Sequence, residues 1–494
     1  MNNIQPITTT KEIKSWYLYD FANSVFATPG LAMFIPILLD RLTTQKACSI
    51  LKNDSNGEKI CDDNGHYEEE KIFVNMGFNI TPESFAFAIL GLSVLFQAFF
   101  FISFGAYADY GKNKKRLLTI NTIIGSVLSM TFVIFFEEWS WFIVGCLTII
   151  TNILFGLAIV FYNAYLPLLV RNHGDYINAN TDDKKMEVED NLSNKISTYG
   201  FMWGYCGSLI VTILTFIIIV FYPNTTNRYD DRNTNMSICL CIFFTGLWWL
   251  VFGLMSILGL QEREGDKFPD EENWIFFSWK RTYKTIKQLK NHKNIKYFMI
   301  SYFLFSDAYS TISSCGILYA KKELNVTQLM LTILLLEVTI CSVIGNYFFL
   351  VIQRKFKIRT KCIITFHLIS YLLLSIFGLF YLTGNISLLI FGFIHGFLVG
   401  AVQSFTRTLF VQLIPTGLES QFFSLYEISD KGSSWLGPGV LAVISQFVSI
   451  RYGFIYIAGI LFISTIILQF VNVAKNFENR DEMVNEMVEE IENV

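Results

Sequence analysis

Long apolar runs separated by short polar joints recur along the whole chain. An α-helix rises about 1.5 Å per residue, so about 20 apolar residues cross the ~30 Å hydrocarbon core of a bilayer. A polar stretch, 261–296, divides the runs six and six, which predicts an all-α membrane protein with twelve transmembrane helices in two pseudo-symmetric six-helix halves. The runs begin near Trp16, Ser84, Leu117, Trp139, Ile196, Met236, Tyr297, Gln328, Cys362, Ile386, Phe422 and Gly453.

The same pattern predicts how the chain is divided. The segments are a cytosolic N-terminal tail at 1–15, a first six-helix half at 16–260, a central cytosolic loop at 261–296, a second half at 297–474 and an acidic cytosolic tail at 475–494. Within the central loop, Trp274–Lys290 mixes Trp, Ile and Phe with Lys and Arg. Such a mixture is typical of a helix that lies along a membrane surface.

Composition agrees with a membrane protein and narrows the function classes. Only 16% of the residues are charged, whereas soluble proteins carry about 25%. The chain has no basic block for nucleic acid, no G-x-x-x-x-G-K-[ST] loop for ATP, and no recognisable nucleophile–base or metal-ligand spacing. We therefore expect neither an enzyme nor a cofactor. The expected partners of a monomer are a small solute and the lipid bilayer, with protons as an open candidate.

Lysine and arginine positions set the orientation of the helices. With a cytosolic N-terminus, the cytosolic joints hold most of these residues, so we expect both termini in the cytosol. Met1–Ser15 has no apolar core before a cleavage site, so we expect no removed signal peptide. Cys48 and Cys61 share a loop on the opposite side. The sequence leaves two alternatives for them, a disulfide and two free thiols. Asn53 and Asn224, on that side, fit the glycosylation pattern.

The joint between the second and third runs, Gly105–Arg116, carries a motif. It resembles the major facilitator signature G-x-x-x-D-x-x-G-[RK]-x-x-x-[RK]. Gly105 and Gly111 allow a tight turn and a close helix approach, and Asp109 can hold a cation or a helix N-terminus in one conformational state. The resemblance makes Asp109 a conformational latch, with Lys112 and Arg116 anchoring the loop. An ordinary cytosolic loop is the alternative.

The second half should repeat this joint, because major facilitator halves are structural repeats. The equivalent stretch, Gly345–Lys361, keeps a glycine and a basic run, but Phe349 occupies the place of Asp109. We therefore expect a latch on one side only.

Polar residues inside the apolar runs are candidates for the solute site, because a charge in a membrane helix usually faces a cavity or a partner. Asp20 and Asn23 share one face of the first helix, although Asp20, one turn past Trp16, also fits the membrane rim. Asn163 is a candidate to line the cavity from the fourth helix. Glu337, in the eighth, fits a proton carrier or a packing ion pair equally well.

The seventh run carries an acid at depth. Asp307 lies ~15 Å into this run by helical rise, close to the bilayer midplane. Tyr309 and several hydroxyl groups accompany it. An aspartate at that depth favours a substrate or proton site over simple packing.

The tenth and eleventh runs are the richest in charge. Glu427, Asp430 and Lys431 are spaced so that all three can meet on one helix face, and Arg407 can reach them from the neighbouring helix. We expect a gating network whose ion pairs rearrange between inward-open and outward-open states. A cluster that only fixes helix packing is the alternative.

Five segments together resemble the vacuole effluxer family, major facilitator proteins related to autophagy-linked exporters that release amino acids from fungal vacuoles. The resemblance implies export of small polar solutes, foremost amino acids, from a vacuole or lysosome-like compartment to the cytosol by alternating access. One departure leaves the cargo open, because Ser306–Tyr309 replaces an Asn-Asp-Gly type sequence. The matching segments are Trp16–Phe26 (W-Y-x-Y-D-x-A-N-S-x-F), Val160–Val170, Ser197–Gly207, Trp279–Ile312 and Gln403–Pro438.

Two other functions stay open. A major facilitator exporter of a drug, an ion or a lipid-like solute would keep the fold and change the cargo. A membrane sensor would bind solute without moving it, although the glycine-rich latch and the glycine–proline breaks favour motion. The expected location is a vacuolar or lysosomal membrane, with the plasma membrane as the alternative.

Overall fold

Helices account for nearly all of the computed structural model. It describes residues 5–50, 73–75, 79–222, 231–269, 272–290, 292–324, 326, 328–434 and 436–480. The strands in these residues form one short hairpin, in which β1 (Val74–Asn75) pairs antiparallel with β2 (Asn79–Ile80).

The helices follow the order that the apolar runs predict. The first span consists of α1 Thr10–Val25, a π-helical stretch Phe26–Phe34 and α2 Ile35–Ile50. The first half continues with α3 Pro82–Gly105, α4 Asn113–Thr131, α5 Trp141–Arg171, α6 Gly174–Ile177, α7 Asp182–Phe221 and α8 Asp231–Gly259. The linker between the halves contains α9 Trp274–Gln288. The second half comprises α10 Lys293–Lys322, α11 Gln328–Phe356, α12 Thr360–Tyr381, α13 Asn385–Leu413, α14 Glu419–Ser433, α15 Leu436–Phe447, α16 Gly453–Gln469 and α17 Val473–Glu478.

Ten helical segments of the described residues are long and apolar enough to cross a membrane. Two further elements, α10 and the pair α14–α15, occupy the places of the seventh and eleventh predicted spans. Both carry charged residues, Asp307 in α10 and Glu427 in α14, which lower their mean hydropathy. With these two elements the chain follows the predicted plan of twelve helices.

The two halves repeat the same helix packing. In the first half, α1 packs against α7 and α8, α4 packs against α5 and α8, and α3 packs against α5. Six spans later, α10 packs against α14 and α16, α12 packs against α13 and α16, and α11 packs against α13. The halves meet where α14 contacts α3 and α5 and where α7 contacts α11 and α13. Equivalent pairs in both halves are what an internal structural repeat requires.

The first span changes its helical pitch in the middle. Pro29 and Gly30 lie inside the π-helical stretch, and Ile35 donates its backbone N–H to the Gly30 carbonyl. Proline lacks an N–H group and its ring displaces a carbonyl of the preceding turn. The wider π-turn accommodates this loss, so the backbone stays helical from α1 into α2.

The fifth membrane helix begins well before its apolar run. The run starts near Ile196, but α7 begins at Asp182, where Thr181 Oγ1 accepts the Lys184 N–H. A threonine N-cap and an aspartate in the first turn both stabilise a helix start. The early start makes Glu189 and Asp190 part of the helix, at its cytosolic end.

Close packing of α7 on α1 depends on glycine. A Cβ at Gly200 would lie 2.6 Å from the Trp16 ring and 2.7 Å from Asp20 Oδ2. A Cβ at Gly204 would lie 2.5 Å from Ser24 Oγ. These glycines bring α7 against the polar face of α1.

Some sequence expectations fall at or beyond the edges of the described residues. Cys48 is disulfide-bonded, as the disulfide alternative requires, but Cys61 lies outside the described residues. The glycosylation patterns at Asn53 and Asn224 also lie outside them.

Candidate functional site

A buried guanidinium lies where the two halves meet. Arg407, on α13, donates from Nε to Ser197 Oγ at 3.0 Å and from Nη2 to the Ser197 carbonyl at 3.1 Å. Its Nη1 donates to Asn163 Oδ1 at 3.0 Å. Ser197 and Asn163 belong to α7 and α5, so two helices of the first half bind this arginine of the second half.

Asp20 supplies the opposite charge. Its Oδ2 lies 3.5 Å from Arg407 Nη2 and accepts a hydrogen bond from the Tyr162 hydroxyl at 2.7 Å. Asp20 is only 6% exposed, so its carboxylate lies in the protein interior. The guanidinium also lies over Phe201 and Trp16, with ring centroids at 4.3 and 4.7 Å. The carboxylate and the rings together offset the free energy that the guanidinium loses when it is removed from water.

Asn163 extends these contacts to α14. Its Oδ1 accepts from Arg407, and its Nδ2 donates to Glu427 Oε1 at 3.0 Å. We call Asp20, Asn163, Ser197, Arg407 and Glu427 the central network. It connects α1, α5 and α7 with α13 and α14, so a rotation of one half against the other must rearrange it.

The neighbouring charges on α14 make their hydrogen bonds and ion pairs in two directions. Glu427 faces the first half, whereas Asp430 is held within the second half by hydroxyl groups of α10. Lys431 Nζ lies 3.4 Å from Asp430 Oδ2, and the two side chains are 34% and 21% exposed. The hydroxyl donors to Asp430 Oδ1 are Tyr302 (2.9 Å), Tyr309 (3.2 Å) and Ser306.

Asp307 binds the start of α15. Its Oδ1 accepts the Gly437 N–H at 2.9 Å, and its Oδ2 accepts the Tyr456 hydroxyl at 3.0 Å. Gly437 lies in the first turn of α15, where N–H groups without helical partners favour a carboxylate. Both oxygens of Asp307 are therefore engaged in the second half, and the bonds described for them do not reach the central network.

Glu337 and Asn23 complete the predicted set of solute-site residues. Glu337 lies on α11, and its buried Oε2 has no hydrogen-bond partner among the described residues. Asn23, on α1, is 4% exposed and accepts a long hydrogen bond of 3.5 Å from the Ser24 hydroxyl. Within the described residues, the structure brings neither side chain into the central network.

The cytosolic ends of the halves are joined by a second contact. Asp109 follows α3 in a short 3-10 turn and accepts the backbone N–H groups of Ser420 at 2.8 Å and Gln421 at 3.0 Å. These N–H groups belong to the first turn of α14 and have no partner within that helix. A carboxylate at this place also faces the positive end of the helix dipole.

A buried lysine reinforces this contact. Lys114 Nζ lies 3.3 Å from Asp109 Oδ1 and 3.3 Å from Glu419 Oε2. Glu419 Oε1 accepts the Gly417 N–H at 3.0 Å. We call Asp109, Lys114, Glu419, Ser420 and Gln421 the cytosolic latch. Sequence reasoning found Asp109 by its motif but missed Lys114 and Glu419, for which the basic run and the start of the eleventh run were the available signals.

The two glycines of the motif have different roles. A Cβ at Gly105 would collide with Ser424, lying 2.8 Å from its Cβ, so glycine is needed where α3 meets α14. Gly111 has a φ of +53°, which favours glycine. Its N–H donates to the Asp266 carbonyl at 2.8 Å, which ties the loop to the linker.

The basic residues that the motif singles out lie outside the latch. Lys112 Nζ lies 3.2 Å from Glu262 in an exposed ion pair, and the Glu262 carboxylate, by accepting a hydrogen bond, raises the pKa of Lys112. Arg116 is exposed on α4. Lys114, between them in sequence, is the buried cation.

Arg171 forms a further connection at the cytosolic side. It donates from Nη2 to the carbonyls of Val411 at 2.9 Å and Ile414 at 2.8 Å, and from Nε to Glu189 Oε1 at 2.9 Å. Arg480, beyond α17, donates to both Glu189 oxygens at 3.0 Å. Sequence reasoning missed these residues because the apolar pattern assigned Arg171 and Glu189 to a polar joint and Arg480 to the C-terminal tail.

Asp190, on α7, forms a second contact between the halves, and by the internal repeat this contact corresponds to that of Asp109 with α14. It accepts from Gln412 Nε2 at 2.6 Å and from Thr360 Oγ1, and Thr360 is the first residue of α12. Phe349 occupies the place of Asp109, which led to the expectation of a latch on one side. In the structure the acid of this contact is Asp190 on α7. It faces the joint between α11 and α12, which is the joint equivalent to the motif of the first half.

Together these contacts close the protein on its cytosolic side. The bonds that join the halves extend from the latch up to Tyr205, whose hydroxyl donates to Gln403 Oε1 at 2.9 Å.

The chain matches a known protein family over nearly its whole length. The family profile described as "Vacuole effluxer Atg22 like" matches residues 8–481, which confirms the family resemblance. "Autophagy-related protein 22-1" of Penicillium rubens is 28% identical and aligns with 94% of this chain and 90% of its own length. "Autophagy-related protein 22" of Neurospora crassa is 29% identical over 98% of this chain and 74% of its own.

Solved structures confirm the predicted fold. The major facilitator transporter FucP in its outward conformation has a TM-score of 0.58 at 13% identity, covering 91% of this chain and 99% of its own. The human organic anion transporter MFSD10 has a TM-score of 0.58 at 10% identity, with 93% and 99% covered. At such identities the likeness shows the fold alone.

Proposed function

Because this chain belongs to the vacuole effluxer Atg22-like family and has the fold of a major facilitator transporter, we propose that it exports amino acids from the vacuolar lumen to the cytosol by alternating access. The observation that carries the proposal is the central network, in which Arg407 of one half is held by Asp20, Asn163 and Ser197 of the other. The halves 16–260 and 297–474 are the two bodies that rock.

The charges at this level suit a zwitterion. An amino acid carries a carboxylate and an ammonium group, which require a cation and an anion of the protein. Arg407 and Lys431 offer the cations, and Glu427 and Asp430 offer the anions. The partial exposure of Lys431 and Asp430 supports their access to solute. A zwitterion can replace internal partners without changing the net charge of the site, which limits the cost of its desolvation.

Solute binding and the latch form one cycle in this proposal. A carboxylate that binds Arg407 competes with Asp20, and an ammonium group that binds Glu427 competes with Asn163. Either exchange weakens the bonds that hold the halves together at the level of the network. The cytosolic latch is then the remaining barrier, and its opening releases the solute.

Protons are the proposed coupling ion, with Glu427 as their carrier. Glu427 lies one turn from Asp430 on α14, and two carboxylates so close repel each other when both are ionised. A proton on Glu427 removes this repulsion and weakens the acceptor for Asn163. A related case is the fucose:proton symporter FucP, a protein of the same fold. Asp307 and Glu337 are the other candidates for this role.

Efflux from proteoliposomes tests the proposal. Vesicles are loaded with a labelled amino-acid mixture, and release is measured with and without a pH gradient for wild type, Arg407→Lys and Glu427→Gln. Arg407→Lys should slow efflux about tenfold or more, because lysine cannot reproduce the bonds from Nε, Nη1 and Nη2. Glu427→Gln should transport but lose its response to the pH gradient. The exposed Arg116→Gln serves as the matched control and should behave as wild type.

The outcome separates the cargo from the mechanism. If folded wild-type protein releases no amino acid, the cargo is another solute or the protein is a sensor. If Arg407→Lys transports as fast as wild type, the central network is not part of the solute path.

A further inference from the structure

The linker helix α9 has one buried face and one exposed face. One face is buried within the protein and includes Arg281 and Thr285. A second face exposes apolar side chains, and beside it Lys280 and Lys287 are exposed. The exposed apolar residues are Ile275 (37%), Phe276 (77%), Trp279 (37%), Tyr283 (72%) and Ile286 (48%). A helix too polar to span the bilayer but with an apolar stripe beside lysines has the character of one that lies in a membrane interface.

The apolar stripe continues the lipid-facing surface of the bundle. Trp279 packs against Phe99 of α3, with ring centroids 5.4 Å apart, and its Nε1 donates to Ser103 Oγ at 3.0 Å. Phe99 is 49% exposed on a membrane-spanning helix. The stripe therefore meets the hydrocarbon boundary on the cytosolic side. The lysines beside it are then at the height of the phospholipid headgroups.

The buried face of α9 contacts the cytosolic latch. The Arg281 guanidinium lies over the Tyr110 ring at 4.9 Å and donates to its hydroxyl. Thr285 Oγ1 accepts a hydrogen bond of 2.7 Å from Gln421 Nε2. The backbone N–H of that same Gln421 is bound to Asp109 Oδ2. One residue of α14 is thus held by the latch through its backbone and by α9 through its side chain.

We propose that α9 docks on anionic phospholipids of the cytosolic leaflet and that this docking stabilises the cytosol-closed state. Lysines near an anionic surface are attracted to it, and the apolar stripe adds burial in the interface. When the latch opens, Gln421 leaves both Asp109 and Thr285. A lipid-anchored α9 cannot follow α14 freely, so anchoring raises the free energy of opening.

A distance measurement tests the coupling. Full-length protein carries ketone-bearing amino acids at two exposed cytosolic positions, Asn178 in the first half and Thr416 in the second, for nitroxide labelling. Double electron–electron resonance measures the distance between the two nitroxides. The protein is compared in vesicles of phosphatidylcholine alone and in vesicles in which about a third of the phosphatidylcholine is replaced by phosphatidylserine. Anionic lipid should increase the short-distance population severalfold. An equal population in both lipids would overturn the proposal.

Variants locate the effect. Lys280→Gln with Lys287→Gln should abolish the lipid dependence, whereas the matched change Lys184→Gln, at an exposed lysine of α7, should retain it. Thr285→Val should keep α9 on the membrane but lose the lipid dependence, because the bond to Gln421 is gone. If Thr285→Val responds to lipid as wild type does, the coupling through Gln421 is wrong.

A photo-crosslinker at position 276 identifies what covers the stripe. A benzophenone side chain in place of Phe276 should give lipid adducts. A crosslinked pair of chains would instead assign the stripe to a second copy and overturn the lipid assignment. The inference requires the opening of the latch but no particular cargo, and distances measured without solute keep it separate from the transport assay.

Discussion

The two acids that close the cytosolic side, Asp109 and Asp190, meet the second half in different ways. Asp109 lies in a loop, accepts two backbone N–H groups of α14 and is paired with the buried Lys114. Asp190 lies on a helix, α7, and is bound by the neutral side chains of Thr360 and Gln412. In both contacts an acid of the first half binds the start of a helix of the second half, α14 for Asp109 and α12 for Asp190. The first contact is ionic and the second is a set of neutral donors.

The comparison predicts that removing the buried lysine has the largest effect. Lys114→Met leaves Asp109 and Glu419 buried near each other without the cation between them, so their repulsion should favour the cytosol-open state by about 3–4 kcal/mol. The nitroxide distance between positions 178 and 416 measures this population. Arg116→Met, at an exposed position of the same helix, should leave it unchanged. A closed population equal to wild type would show that Lys114 does not hold the latch.

A steric change at the latch should rank next. Gly105→Val places a branched side chain where even a Cβ would meet Ser424, so α3 and α14 should separate, at a cost of about 3 kcal/mol to the closed state. Gly91 provides the control on the same helix, because a Cβ there meets nothing within 4 Å. The same distance measurement should show a shift for Gly105→Val and none for Gly91→Val.

Removing the first acid should have a smaller effect than removing its lysine. Asp109→Ala loses the bonds to two N–H groups of α14, but Lys114 keeps its ion pair with Glu419. We expect the closed state to lose about 2 kcal/mol relative to the open state, which is in the range for hydrogen bonds to charged groups. If Asp109→Ala opens the cytosolic side more than Lys114→Met does, the assignment of the lysine as the centre of the latch is wrong.

The second acid should matter less again. Asp190→Asn keeps an oxygen that can accept from Gln412 or Thr360, so the closed state should lose about 1 kcal/mol, as for a neutral hydrogen bond. The distance distribution in wild type, Asp109→Asn and Asp190→Asn gives the comparison directly. A larger effect at Asp190 would reverse the contrast between the two contacts.

The exposed member of the motif should have the smallest effect. Lys112 is paired with Glu262 at the surface, and exposed ion pairs contribute little because water and salt screen them. Lys112→Gln should therefore leave both the distance distribution and the efflux rate as in wild type. A clear opening would show that the loop acts through its surface charge.

Much of this molecule follows from the apolar pattern and one motif. The runs predict the helices and the two halves because spanning a bilayer needs a fixed length of apolar side chains. The motif places Asp109 at the cytosolic edge because a tight turn needs its glycines. The start of α7 was not predictable in this way, since the residues from Asp182 onward are polar and their helix depends on an N-cap and on contacts with the second half.

The sequence by itself determined the class of protein, its family and several of the buried polar residues, but not Lys114, Glu419 or Arg171. Only the tertiary structure decided their partners: that Asp20 pairs with Arg407, that Asn163 links Arg407 to Glu427, and that Asp307 caps α15. The physical reason is that the type of each residue determines its charge, whereas the strength of an ion pair depends on the distance between the two groups and on their burial. Those are set by how helices hundreds of residues apart in sequence pack against each other.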